Sequence, residues 1–135
     1  GVTHSESNNS DDQLVHFLQI WIIPERQGLE PSYEQKAFPL AERQGKWRLV
    51  ASGDGRDGSL TVHQDVNLYS GLFAASQSAR YQIPASRYAW LQVARGQVAV
   101  NGELLAAGDA AAFTAAGSIE LSGEDEAEIL LFDLA

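Results

Sequence analysis

His4 and Glu6, in the segment GVTHSES, form the first pair along the chain that could bind a metal ion. Two residues apart on a strand, their side chains would project from one face, with Cα atoms about 7 Å apart. An imidazole and a carboxylate on one face suit a non-haem iron, copper, nickel or manganese site. The spacing alone leaves a second interpretation open, an ordinary pair on the protein surface.

The other two histidines are weaker candidates. His63 and Asp65, in VHQD, would also share a strand face, where the carboxylate could orient the imidazole for acid–base work. The alternative is a hydrogen-bonded pair that fixes a strand end. His16 lies in an apolar stretch, which favours a partly buried, satisfied side chain over a metal ligand.

Three tryptophans could line an aromatic pocket, but they are more typical of a β-domain core. They are Trp21, Trp47 and Trp90. The loop GDGRDGS is predicted to be a turn, because its acidic residues do not match the spacing of a calcium-binding loop.

The elements that would position these residues are strands. The run LVHFLQIWII, residues 14–23, predicts a strand buried on both faces or at an interface, and Pro24 ends it. The prolines and glycine of residues 24–39 predict an extended connector. From Lys46 onward, short apolar runs alternate with turns, which favours an all-β antiparallel sandwich or barrel. Asn101-Gly102 predicts a two-residue hairpin.

The totals exclude several classes of function. The chain has 135 residues and a formal net charge of −9, which opposes unaided binding to nucleic acid or to an anionic membrane surface. It contains no cysteine, so disulfides, thiolate metal sites and cysteine catalysis are excluded, and a reducing cytoplasm is the expected location.

The order of the motifs resembles the C-terminal part of a pirin-family protein of the bacterial quercetinase type. The resemblance rests on GVTHSE, LQIWIIP, PSYEQ, DGSLTVHQD and the closing strands, whose turns at Gly96 and at Gly108-Asp109 match the layout of a cupin jelly roll. It implies a C-terminal cupin over residues 40–135. Residues 1–39 would be the end of an N-terminal cupin together with a connecting strand and linker.

Pirin-like bicupins hold a metal with three histidines and a glutamate, and GVTHSE matches the segment that supplies the last two ligands. The resemblance therefore implies that His4 and Glu6 are metal ligands in a longer parent protein, with Glu6 also the catalytic base. The metal would be iron, or alternatively copper, nickel, manganese or zinc. The H-P-H segment that carries two further histidines is not in this sequence. We therefore expect a half-site that binds metal weakly or not at all in this chain.

The resemblance implies a parent enzyme that opens a flavonol such as quercetin with O₂, while this chain alone would be inactive. A non-enzymatic, protein-binding regulatory cupin module is the alternative. A third interpretation, a β-sandwich that binds ligands and is similar to pirins only in architecture, fits the motif order least well. The chain begins with Gly1 and has no methionine, so we expect a processed or excised chain.

Two further expectations concern the isolated chain. The strands around residues 88–100 and 114–121 carry no histidine, so we expect the C-terminal cupin to be metal-free and to serve in packing, cavity lining or partner binding. Without the missing N-terminal cupin half, residues 14–23 would expose an apolar face. We expect them to pack back on their own cupin or to pair with a second copy in a homodimer.

Overall fold

The computed structural model describes residues 3–135, and within them it is almost entirely β-structure. The regular elements begin at a single helical turn, α1 (Leu40–Arg43), and include one 3₁₀ turn (Arg56–Gly58). The strands are β1 (Arg48–Ser52), β2 (Leu60–Thr61), β3 (Val66–Phe73), β4 (Ser78–Ile83), β5 (Tyr88–Arg95), β6 (Gln97–Val100), β7 (Glu103–Ala106), β8 (Ala110–Phe113), β9 (Gly117–Gly123) and β10 (Ala127–Leu134). No helix among these residues is long and apolar enough to cross a membrane.

The strands form two sheets packed face to face, as the sequence predicts. The six-stranded sheet has the order β2-β1-β3-β10-β5-β8, and the four-stranded sheet has the order β4-β9-β6-β7. Apart from the parallel β1–β2 pair, every pairing between strands is antiparallel. The all-β cupin jelly roll is therefore confirmed.

The core lies between the sheets, because alternate residues of each strand point inward. In β10, Ile129 and Leu131 are fully buried, and their neighbours Leu91 and Val93 on β5 are equally inaccessible. Facing them across the sandwich are Ile119 and Leu121 of β9 and Val98 and Val100 of β6. This apolar layer holds the two sheets at a fixed separation.

Two turns show why the chain requires particular residues there. Asn101 and Gly102 have φ of 49° and 87°, so both central residues of the β6–β7 hairpin are left-handed, as a two-residue primed turn demands. Gly96 has φ of 72° and joins β5 to β6, where the chain changes sheets. A Cβ there would collide with the backbone carbonyl of Glu126.

The prediction of a strand over residues 14–23 is wrong, since the structure describes neither helix nor strand between residues 3 and 39. We call residues 14–23 the strap. It lies over the outer face of the six-stranded sheet and not beside an edge strand, so its backbone has no ladder to join. Its side chains are correspondingly exposed, Leu14 completely and Trp21 by 85%.

The connector, residues 24–39, forms no helix or strand and bends at residues 25–28, and side-chain contacts fasten it along the edge of the sandwich. The Glu34 carboxylate accepts a 2.8 Å hydrogen bond from the backbone N–H of Thr61. The Lys36 ammonium donates to the carbonyl of Gly58. Regular structure begins immediately after Pro39, at Leu40. The division into a unit of residues 1–39 and a cupin of residues 40–135 stays a prediction.

Candidate functional site

His4 and Glu6 lie in an irregular segment that precedes the strap, and both side chains are more than half exposed. Nε2 of His4 is 3.8 Å from Oε1 of Glu6, and the amide nitrogen of Gln19 is 3.4 Å from the same imidazole nitrogen. The two side chains thus lie close together, although their segment is not the strand that their spacing suggested. Gly1 and Val2, which open the predicted GVTHSE segment, lie outside the described residues.

The donor set of this pair suits a transition metal but supplies only two ligands. One imidazole nitrogen and one carboxylate oxygen are the ligands that iron, nickel and copper accept. Among residues 3–135, no group of three His, Cys, Asp or Glu side chains is arranged to hold a metal ion.

The strap and the outer sheet face enclose a groove of about 720 Å³. Its floor consists of outward-facing residues of β5 and β10, and one wall is the strap itself. Trp21 and Trp90 line the groove, and Trp90 keeps 42% of its surface exposed. The expectation of three core tryptophans is thus wrong for these two. Trp47 alone packs into the core, edge-on to Phe73 with ring centroids 5.1 Å apart.

The strap is fastened at both of its ends. At the first end, Nε of Arg95 donates a 2.9 Å hydrogen bond to Nδ1 of His16, which is exposed and not partly buried as predicted. At the other end, the Gln64 side chain donates 2.7 Å to the carbonyl of Ile23. Beside it, the backbone N–H of Glu25 donates 2.8 Å to the carbonyl of His63. These polar contacts position an apolar segment that has no strand partner.

The predicted His63–Asp65 pair does not form. Residues 63–65 make a bend between β2 and β3, so the two side chains do not share a strand face. His63 is exposed and contributes its carbonyl, while Asp65 accepts hydrogen bonds of 2.9 and 3.1 Å from Nη1 of Arg87. The acid–base interpretation of VHQD therefore has no geometric support.

A buried polar network fills one end of the sandwich, and sequence reasoning missed it. Its centre is Asp133, which receives hydrogen bonds from Tyr81 at 2.6 Å and Asn67 at 3.2 Å, together with an ion pair from Arg87. Burial, reinforced by the hydrogen bond to Asp133, raises the pKa of the Tyr81 phenol. Burial opposes the charge of Arg87, yet its contacts with Asp133 and Asp65 outweigh that effect and raise its pKa.

One signal in the sequence could have revealed this network. In FDLA, Asp133 continues the inward alternation of Ile129 and Leu131, and a carboxylate at an inward position of a strand requires partners.

The network occupies the interior with hydrogen-bonded side chains. The inward positions of β5 and β9 are apolar, including Leu91, Val93, Ile119 and Leu121. That the C-terminal cupin is metal-free stays a prediction.

Residues 49–134 match the sequence model of a family described as the quercetinase C-terminal cupin domain. The chain belongs to this quercetinase-type pirin family. A quercetin 2,3-dioxygenase of Escherichia coli K12 is 42% identical over 134 residues, which are 99% of this chain and 57% of that protein. A putative quercetin 2,3-dioxygenase of Pasteurella multocida is 39% identical over 136 residues, with 99% and 57% covered.

The solved structures support the same family. The crystal structure of YhhW from Escherichia coli matches with a TM-score of 0.79 and 39% identity, over 85% of this chain and 48% of that one. Bacterial pirin YhhW in complex with nickel(II) matches with a TM-score of 0.78 and 40% identity, over 84% and 48%. This quercetinase-type chain thus spans little more than half the length of its curated relatives.

Proposed function

We propose that this chain is the C-terminal part of a pirin-like bicupin whose whole form is a metal-dependent dioxygenase of the quercetin 2,3-dioxygenase type. The observation that carries the proposal is the convergence of His4 and Glu6, 3.8 Å apart, in a chain 42% identical to a quercetin 2,3-dioxygenase. A related pirin that has been solved with nickel supports a divalent metal at such a site. The chain's lack of cysteine agrees with a cytoplasmic location.

In this proposal His4 and Glu6 are two of the metal ligands, and the missing N-terminal half supplies the histidines that complete the set. Bound there, the metal supplies Lewis-acid polarisation of a flavonol oxygen, with iron our first choice and nickel, copper, manganese or zinc the alternatives. His4 would coordinate the metal through Nε2, the ring nitrogen 3.8 Å from the Glu6 carboxylate, and this would replace its contact with the Gln19 amide. The Glu6 carboxylate would accept the proton of the flavonol hydroxyl.

The chain by itself is then inactive, because two exposed ligands on an irregular segment do not make a tight site. The test compares the full-length protein with the isolated chain for quercetin loss by absorbance and for bound metal. We expect roughly one metal per full-length chain and no turnover by the isolated chain. His4→Ala and Glu6→Gln in the full-length protein should each lower activity by at least about a hundredfold.

His63→Ala is the matched control, since His63 is also an exposed histidine and has no proposed ligand role. Its metal content and turnover should equal those of the parent. Full metal content and turnover in His4→Ala would contradict the proposal, as would flavonol cleavage by the isolated chain.

A non-enzymatic, protein-binding module is the second candidate, and the exposed strap favours it. Large apolar side chains along the strap face solvent, including Phe17, Trp21 and Ile23. A net charge of −9 disfavours nucleic acid but leaves protein partners open. A full-length protein that holds no metal and cleaves no flavonol would move this candidate ahead of the enzyme.

A further inference from the structure

The bend at residues 63–65, which we call the clamp, holds the end of the strap with two hydrogen bonds. The backbone N–H of Glu25 donates 2.8 Å to the carbonyl of His63, and Nε2 of Gln64 donates 2.7 Å to the carbonyl of Ile23. The side-chain oxygen of Gln64 accepts a 2.8 Å hydrogen bond from the backbone N–H of the following residue. Both ends of this amide are therefore engaged, which fixes its orientation towards the strap.

Arg87 connects the clamp to the interior of the sandwich. Its Nη1 donates to both carboxylate oxygens of Asp65, at 2.9 and 3.1 Å. On its other side, Nε pairs with the carboxylate of Asp133, and Nη2 donates 3.2 Å to the backbone carbonyl of the same residue. Asp133 is 3% exposed and the Arg87 side chain 18%, so this guanidinium is anchored in the core and not free to follow a moving surface bend.

The strap depends on such polar contacts because it has little else to hold it. It forms no strand, and of residues 14–23 Ile22 alone is part-buried, so the burial of apolar surface contributes little to its position. The end of the strap and the clamp also lie at the same part of the groove. The residues that line the groove there are Trp21, Ile23, Gln64, Asp65 and Trp90. The position of the clamp therefore sets the width of the groove at this end.

We propose that Arg87 and Asp65 are positioning residues that hold the clamp against the core, and that the clamp in turn keeps the strap closed over the groove. When the contact between Arg87 and Asp65 breaks, the clamp moves away from the core, residues 23–25 leave the sheet, and the groove widens. The strap is thus a cover that opens locally while the sandwich stays folded. The proposal concerns the groove and does not depend on metal binding at His4 and Glu6.

The test is hydrogen exchange of the Glu25 amide, measured by NMR, because this N–H is bound only while the clamp holds the strap. The main variant is Asp65→Ala, since removing Arg87 would also leave the buried Asp133 carboxylate without its counter-charge. We expect the amide of Glu25 to be protected in the parent. In Asp65→Ala it should exchange about fivefold faster, which corresponds to the loss of one largely exposed ion pair.

Two further variants make the result specific. Asp65→Asn keeps an acceptor oxygen for Arg87, so the exchange of the Glu25 amide should stay within about twofold of the parent rate. Asp54→Ala is the matched control, because Asp54 also pairs with an arginine and its side chain is 62% exposed, against 64% for Asp65. It makes no contact with the strap or the clamp, so it should leave the exchange of the Glu25 amide unchanged.

A double-mutant cycle tests whether Asp65 acts through the clamp. Gln64→Ala removes the direct hydrogen bond to Ile23 and should also accelerate exchange of the Glu25 amide. If both residues act on the strap through one clamp, the acceleration in the double variant should be smaller than the product of the two single effects. Parent-like exchange in Asp65→Ala would overturn the proposal. So would equal acceleration in Asp65→Ala and Asp54→Ala, because the amide would then report global unfolding.

Discussion

The phenol of Tyr81 donates a 2.6 Å hydrogen bond to the carboxylate of Asp133, which lies inside the sandwich with only 3% of its surface exposed. Tyr81 belongs to β4 of one sheet, and Asp133 belongs to β10 of the other. The bond therefore ties the two sheets together at the polar end of the core. Arg87 completes the arrangement by pairing with the same carboxylate.

Replacing Asp133 by Asn should destabilise the fold by about 3 kcal/mol, because it leaves the buried side of Arg87 without its counter-charge. The measurement is the free energy of unfolding in urea. Asp65→Asn is the matched control, since Asp65 is the exposed partner of the same arginine, with 64% of its side chain accessible. That change should cost no more than about 1 kcal/mol. Equal losses of unfolding free energy in the two variants would contradict the assignment of Asp133 as the buried counter-charge of Arg87.

The raised pKa of Tyr81 predicts a loss of stability at alkaline pH. The folded protein keeps the phenol protonated, whereas in the unfolded chain it ionises near the ordinary value of 10.0. The contribution of Tyr81 is therefore complete below that value and is lost as the pH rises above it. Urea unfolding at several alkaline pH values should show the decline. The free energy of unfolding of Tyr81→Phe should fall less steeply with pH than that of the parent. Identical slopes in the two proteins would contradict the assignment of this loss to Tyr81.

Gly96 and Gly102 offer a comparison between steric exclusion and backbone preference. Both have positive φ, but a side chain at Gly96 would meet the backbone of Glu126, whereas Gly102 has open space around it. Gly102→Ala should cost about 1 kcal/mol, from strain alone. Gly96→Ala should cost at least about 3 kcal/mol or prevent folding, because two backbone segments must separate. Thermal unfolding of the two variants, measured side by side, provides the check.

The exposed strap predicts that the isolated chain self-associates. Two strap residues with most of their surface accessible are Trp21 and Ile23, at 85% and 84%. Trp21→Asp should shift the chain towards monomer in light scattering at micromolar concentration. Leu104→Asp is the matched control, because Leu104 is 61% exposed but lies on β7, which belongs to the other sheet. A parent chain that is strictly monomeric would refute the expected homodimer.

The sequence predicted the fold well where the signals were local. The positive φ of Asn101 and Gly102 follows from residue type, and so does the absence of a helix from the proline-bearing connector. The strap shows the limit of such reasoning. Its β-branched and aromatic residues favour a strand, but a strand also needs a neighbouring edge, and none lies beside the strap in the described residues.

The candidate site was predictable only through motif resemblance. The spacing of His4 and Glu6 suggested a shared strand face, and the structure brings them together in an irregular segment. The partnership of Tyr81 with Asp133 joins positions 52 residues apart, so no local pattern encodes it. The contact between Arg95 and His16 is equally non-local. Such pairs are set by sheet topology and by which face each strand turns inward.

The place of β10 has a consequence for how the protein is made. This strand is the last of the ten described strands, yet it lies inside the six-stranded sheet, with β3 on one side and β5 on the other. Until Leu134 has left the ribosome, β3 and β5 have no common neighbour, and their apolar faces stay available to chaperones. We therefore expect nascent chains that stop before Ala127 to remain protease-sensitive, with the sandwich closing only after synthesis has passed β10.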